Sequence, residues 1–265
     1  VIVYFAGAES FQKVLGHVDY PFILSSYWMI KERKDVAKVF KEVKGFKLFL
    51  DSGAFSAFTK GAKINLLDYI NFIKANKTHI HIYANLDVIG NHEATRANQV
   101  KMEEAGLNPL PVFHLGSPMK DFEEYCEKYD YVAIGGMVPY HSKRKILIPF
   151  LNHCFRIAKK HKTKLHGFGM TDLNLVKAFP FFSVDSTSWK IGGWRPALYT
   201  FTSKKTLKRY DKDQYKKKFK KILAHGTFFD IYNATSWARF ARHLREYNSN
   251  AYWEEKEDGI QKKEN

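Results

Sequence analysis

Three aspartates stand where apolar runs end. Leu48-Phe49-Leu50 runs into Asp51-Ser52-Gly53, Tyr83-Ala84-Asn85-Leu86 into Asp87, and Phe182-Ser183-Val184 into Asp185-Ser186-Thr187. Other runs end on His114, on Gly135-Gly136-Met137 and on His166-Gly167-Phe168-Gly169. No cysteine, and no histidine pair at metal-ligand spacing, accompanies the aspartates, so the pattern calls for no metal and no cofactor. Carboxylates gathered without a metal point to glycosidic-bond chemistry. One attacks an oxocarbenium-like anomeric carbon while another shuttles the proton of the leaving group. Crowding raises the pKa of one member and so provides the acid. For any single Asp a helix cap is an equally good reading. Three of them on strand ends favour function.

That chemistry requires a scaffold that brings distant strand ends together. Strands are expected over Val1–Ala6, Phe22–Ser25, Lys47–Leu50, His81–Leu86, Leu110–Phe113, Tyr131–Ile134, Lys164–Gly167 and Phe182–Val184. They are nearly continuous in apolar character, as buried parallel strands are. Helical spacing lies between them: Leu67, Ile70 and Ile73 share one face, Leu147, Leu151, Phe155 and Ala158 another, and Glu93–Ala105 opens on an acid. Eight strands alternating with helices predict an α/β fold, a TIM-like (β/α)8 barrel, whose working residues sit at the carboxyl ends of the strands. The catalytic core is expected over 1–200, a basic helical C-terminal extension over 201–253, with a helix from about Thr235 to Tyr247, and a polar tail over 254–265.

The chain has 265 residues and a net charge of +16. Such an excess favours a polyanionic partner, and nucleic acid is the commonest one. The charge is uneven, being densest between Lys204 and Lys221 with Tyr210, Tyr215 and Phe219 among the basic residues. Only two cysteines occur, Cys126 and Cys154, too few for a disulfide framework or a cysteine-based zinc site. This fits a reducing cytosol. No run is long and apolar enough to span a bilayer, and no membrane partner is expected.

Leu50-Asp51-Ser52-Gly53-Ala54-Phe55-Ser56 resembles, in relaxed form, the DSGGFQ signature of the tRNA-guanine transglycosylase superfamily. Asp87, Gly135-Gly136, the His166–Gly169 turn and Val184-Asp185 follow in that family's order, so the resemblance covers most of residues 47–190. It implies a TIM barrel that swaps guanine for a 7-deazaguanine without a cofactor. It makes Asp185 the nucleophile and Asp51 the general acid/base. Asp87 then takes the N1–H and exocyclic amine of the base, and the backbone of Gly135 and Gly136 approaches the base carbonyl. Phe55 and Met137 are expected to sandwich the heterocycle. Ser52, His114, His166 and Gly167 complete the base pocket, with His114 standing where the family has an amide side chain.

The departures point to a branch. The tRNA enzymes carry a zinc site of three cysteines and one histidine, and this sequence has no cysteine after Cys154. Ser56 replaces the terminal glutamine of the motif. These features resemble the short phage-type members that place 7-deazaguanines into DNA. The expected partners are therefore DNA, with tRNA as the alternative, and a free 7-deazaguanine base of the 7-cyano or 7-aminomethyl type. The protein is expected as a monomer or homodimer in the cytoplasm, the host's if phage-encoded. Nucleic-acid contacts are expected from Lys190, Trp194, Arg195, Lys204, Lys205, Lys208, Arg209, Lys217 and Lys221. Trp189 and Trp194 serve either there or as packing. Arg239, Arg242 and Arg245, at spacing three, are expected to add to the same surface. Three rival readings are a zinc-free exchanger acting on tRNA, a metal-free glycoside hydrolase and a non-catalytic nucleic-acid-binding barrel.

Overall fold

The computed structural model describes residues 1–170, 172–190, 197–211, 213–214, 226–247 and 252. Eight strands follow one another along the chain: β1 (Ile2–Ala6), β2 (Phe22–Ser26), β3 (Lys47–Asp51), β4 (Ile80–Tyr83), β5 (Val112–His114), β6 (Tyr131–Gly135), β7 (Lys164–Gly167) and β8 (Ser183–Ser186). All neighbours run parallel, in the order β4-β3-β2-β1-β8-β7-β6-β5. Every strand expected from the apolar runs is present. The two sheet edges also meet. Ala84 and Leu110 form an isolated parallel bridge, Asn85 N–H donates to Leu110 O at 2.9 Å, and Leu110 N–H donates to Tyr83 O at 2.8 Å. The fold is thus α/β, with a parallel sheet curled in the manner of a TIM barrel.

Longer helices cover the later crossovers: Leu66–Ala75, His92–Glu104, Met119–Lys128, Arg144–His161 and Leu173–Ala178. Asn65, Asn91 and Asp172 start three of them by accepting backbone N–H groups with their side chains. In the first of these helices Tyr69, Ile70, Phe72 and Ile73 turn inward. Leu67, expected on that face, is 63% exposed. The first two crossovers are single turns, Gln12–Leu15, Tyr27–Ile30 and Val36–Val39.

Alternation along each strand decides what fills the barrel. Tyr4, Phe22, Phe49 and His166 point inward, with Tyr4 edge-on to the other three rings and Phe49 tilted against His166. Tyr4 lies 5.7 Å from Phe22 and 5.3 Å from Phe49 between ring centres, and Phe49 lies 4.6 Å from His166. An aromatic plug therefore closes the barrel below the strand ends. One alternation further on, the same faces present Asp51 and Asp185.

The segment after the barrel differs from the expected helical extension. Leu198–Phe201 (β9) and Leu207–Tyr210 (β10) form an antiparallel hairpin. Thr202 N–H donates to Thr206 O, and Lys205 closes the turn at φ 56°. Lys204 and Lys205 occupy its tip, and Lys208 and Arg209 its exposed strand. Basic density had suggested a helix, but the aromatic and aliphatic residues of both short strands pack as a sheet. The helix Gly226–Tyr247 lies over hairpin and barrel. Buried Asn233 joins them, accepting from Tyr199 N–H and donating to Ala197 O. Two of its arginines make contacts on the barrel floor: Arg242 pairs with Asp19, and Arg245 lies over the Phe22 ring. Both partners precede or begin β2, at the end opposite the carboxylates. Trp194, Arg195, Lys217, Lys221 and the expected tail over 254–265 lie outside the described residues.

Trp189 belongs to the packing. It is fully buried, stacks on Phe5 at 5.2 Å and donates its indole N–H to Ala6 O at 3.1 Å. Trp189→Ala is expected to lower unfolding free energy by about 3–5 kcal/mol, read by chemical denaturation. A loss under about 1 kcal/mol would place the indole on a surface instead.

Candidate functional site

Asp51 closes β3 in a sharp turn. Its Oδ2 accepts from Gly53 N–H at 3.0 Å. Gly53 adopts φ 80°, and a Cβ there would stand 2.5 Å from Trp28 Cβ and 3.0 Å from the Ser26 side chain. Only glycine permits both that φ and that approach. Ser52 is fully buried, donates to Asp87 Oδ1 at 2.8 Å and accepts from Ala54 N–H at 3.1 Å. It therefore orients Asp87 and braces the turn that leads into the helix Ala54–Thr59.

Asp87 follows β4 and is gripped from two sides. Besides Ser52, His114 Nε2 lies 3.1 Å from its Oδ2. His114 needs the glycine opposite it: a Cβ on Gly135 would stand 2.8 Å from the imidazole Cδ2. Gly135 is buried, and its role is to make room for His114. Gly136 is exposed with φ 72°, so its backbone is the part of the pair open to a ligand.

Asp185 lies within β8 and is 7% exposed. Its Oδ1 accepts from Gly169 N–H at 2.7 Å, and His166 Nε2 stands 3.4 Å from the same oxygen. No described contact engages Oδ2. His166 is fully buried behind the carboxylate, not in a base pocket, because the alternation along β7 turns it into the barrel interior. Gly167 is likewise a packing glycine: a Cβ there would meet Phe181 at 2.6 Å.

The three carboxylates feel one another. Burial first, then the charge of Asp87, then that of Asp185 push the Asp51 carboxyl up to about 7, against the Gly53 and Ser52 amides, which favour its anion. Such a group donates and recovers a proton near neutrality. Asp51, Asp87 and Asp185 thus meet in one electrostatic cluster, with His114, His166, Ser52, Gly135 and Gly136 around it.

Other expected contributors are placed differently. Met137 is fully buried and presents no face to a heterocycle. The turn at Gly136 sends its side chain inward. Phe55 is 59% exposed, and Met29, Phe58 and Val138 are also exposed on connections that follow strand ends. Lys190 fills the space a Cβ at Gly7 would take and lies 5.8 Å from the Phe11 ring centre, beside the end of β1. Two residues were missed. Phe168 packs on Phe49 and His166 and faces Gly135, where a Cβ would be 3.8 Å away. Buried Glu9, two residues past Gly7, accepts from Ser25 Oγ at 2.8 Å. A search for polar residues after apolar runs reaches Glu9, three residues past β1, but not Phe168, which is apolar.

A cavity of about 310 Å³ opens at the other end of the barrel, lined by Tyr83, Tyr129, Tyr131, Lys164 and Phe182 among others. Its lining mixes aromatic rings with His81, Lys128, Asp130 and Lys164. The three carboxylates converge instead at the carboxyl ends of the strands, which is where chemistry resides in such folds.

The Asp51 shift fixes a stability trend. Its folded value of about 7 lies above the unfolded value of about 3.9, so the native state holds the extra proton between them. That contribution is complete below about pH 4 and is lost as pH rises through about 7. Asp51→Asn is therefore expected to stabilise the protein at pH 8 by on the order of 2 kcal/mol and to leave it nearly unchanged at pH 4. Thermal unfolding at the two pH values reads this, and a destabilised variant at pH 8 would refute the crowding. Against models of known protein families and against curated proteins the chain finds no match, so the residues and distances above carry the reading of this site.

Proposed function

We propose that this protein is a transglycosylase that exchanges guanine in DNA for a 7-deazaguanine base through a covalent Asp185–glycosyl intermediate. The observation that carries it is the cluster itself. Carboxylates from three strand ends share one buried cluster, in which burial first and then the charges of Asp87 and Asp185 keep Asp51 protonated to about pH 7. This is the division of labour that glycosyl transfer between bases requires.

Asp185 is the nucleophile. Gly169 N–H fixes Oδ1, and Oδ2 attacks C1′ as the C1′–N9 bond of guanine breaks. Asp51 donates a proton to the departing base. The incoming base then loses its N9 proton to Asp51, and N9 displaces Asp185. Two inversions give net retention, and each bond broken resembles the bond made. Asp87, braced by Ser52 and His114, accepts from the donor edge of the purine. The exposed Gly136 backbone meets the base carbonyl. Phe168 is better placed than Met137 to lie against the ring. Reaching C1′ requires the nucleotide to leave the base stack. Exposed Lys204, Lys205, Lys208 and Arg209 on the hairpin supply sequence-independent phosphate contacts. The preference for DNA over tRNA rests on the cysteine pattern: Cys126 and Cys154 are both buried in helices and neither resembles a zinc ligand.

Incubation with labelled 7-aminomethyl-7-deazaguanine, duplex DNA and tRNA tests the proposal. Label is expected in DNA. Label in tRNA alone would replace the polymer, and label in neither would overturn the activity. Asp185→Asn is expected to abolish both exchange and the covalent adduct seen by mass spectrometry. Asp87→Ala is expected to raise KM for the free base at least tenfold, more than it lowers kcat.

A further inference from the structure

Behind Asp185 a line of polar atoms crosses the aromatic interior of the barrel. Tyr131 Oη lies 2.5 Å from Ser183 Oγ, Ser183 Oγ lies 2.6 Å from His166 Nδ1, and His166 Nε2 lies 3.4 Å from Asp185 Oδ1. Ser183 and His166 are fully buried, and the imidazole is walled by Tyr4, Phe49 and Phe168. Barrel interiors at this level are usually filled by branched aliphatic side chains. A buried imidazole is costly there unless its nitrogens are used.

The direction of each bond follows from the chemistry of its partners. Burial pushes the His166 pKa down, so the ring is neutral and carries one N–H. An ionised carboxylate only accepts. The proton therefore sits on Nε2, facing Asp185. Nδ1 is then the acceptor, and Ser183 donates to it. With its own proton so committed, the Ser183 oxygen accepts from the Tyr131 hydroxyl. Three donors in series point one way, toward Oδ1. The last contact, at 3.4 Å, is a close approach and not a formed hydrogen bond, and His166 Nε2 has no hydrogen-bond partner among the described residues.

We propose that His166 is a positioning residue for Asp185: the Tyr131–Ser183–His166 series sets the Nε2–H tautomer and, with Gly169, holds Oδ1, so that Oδ2 is the oxygen presented to the sugar. The proposal rests on Asp185 being the nucleophile of the exchange. It assigns the two carboxylate oxygens different tasks and gives a reason for a histidine in a site with no described contact to the mouth.

Two measurements test it. The first needs no activity. In protein labelled with 15N-histidine at pH 7, the His166 ring is expected to show a protonated Nε2 and a bare Nδ1, the signals being assigned by their absence from His166→Gln. A ring protonated on Nδ1, or on both nitrogens, overturns the proposal. Ser183→Ala is expected to shift the Nδ1 resonance. The second reads exchange. His166→Leu removes the donor, and kcat is expected to fall roughly 10- to 100-fold, the range of a lost hydrogen bond to a charged group, with KM for DNA within about twofold. His166→Gln restores a donor near the Nε2 position and is expected to recover most of that loss. Equal activity in wild type and both variants overturns the proposal, as does equal loss in both. Should His166→Leu fail to fold, Ser183→Ala replaces it, with a smaller kcat loss expected. If wild type exchanges no base at all, the transglycosylase reading fails, while the tautomer result still decides the geometry.

Discussion

Three like charges in one partly desolvated hollow are the constraint around which this protein is arranged. Two unit charges about 6 Å apart repel by roughly 3 kcal/mol at an effective dielectric of 20. A hydrogen bond to a charged group returns about 1.5–3 kcal/mol. One donor per carboxylate therefore does not ionise all three, and the cluster resolves by leaving a proton on one. Asp51 keeps it, because burial first and then the charges of Asp87 and Asp185 outweigh the Gly53 and Ser52 amides that favour its anion. Asp87 has a hydroxyl and an imidazole, and Asp185 an amide and a buried imidazole behind it.

The glycines of the site serve those grips. Gly53 gives the Asp51 turn its left-handed residue, with Trp28 where a side chain would go. Gly135 leaves the space that His114 occupies to reach Asp87. Gly169, at φ 62°, aims its amide at Asp185 and packs so near Val138 that a Cβ would stand 2.7 Å from its methyl. At each place a missing side chain lets a donor arrive. The aromatic plug beneath supplies the apolar burial against which this unfavourable arrangement is held, and it keeps water from the lower side of the carboxylates.

Strand placement was legible because parallel strands buried on both faces leave long apolar runs, and a polar residue ending such a run is conspicuous. The order Asp51, Asp87, Asp185 could be read in this way, as could His114 and the glycine pair. Side-chain direction was less legible. Met137 and Phe55 were paired by motif, yet the backbone turn at Gly136 buries one and the short helix Ala54–Thr59 exposes the other. His166 and Gly167 looked alike as members of one turn. Alternation sends His166 toward Asp185, while Gly167 yields to Phe181. In the basic region, spacing identified a shared face for Arg242 and Arg245 but not what that face meets. It meets Asp19 and Phe22 on the barrel floor. The hairpin β9–β10 escaped notice because each strand has four residues, too few for a period to stand out from the lysines among them.

In the proposed exchange the net charge of +16 and the acidic centre would act on different parts of the nucleic acid. A positive field at long range raises the local concentration of polyanion and is screened within about 8 Å at physiological salt. Inside the mouth the nearest charges are negative, and a phosphate there would be repelled. A base whose edge offers N–H donors would be attracted, since Asp87 accepts and does not donate. Backbone outside and base inside is the orientation that glycosidic chemistry at C1′ needs. In the proposed exchange the sugar carbon then lies between the two regimes, with the phosphates held by the basic surface and the heterocycle by the carboxylates. The oxocarbenium-like charge that develops as guanine leaves would arise beside Asp185 Oδ2, the acceptor with no described partner, so the same negative potential that excludes phosphate stabilises the transition state.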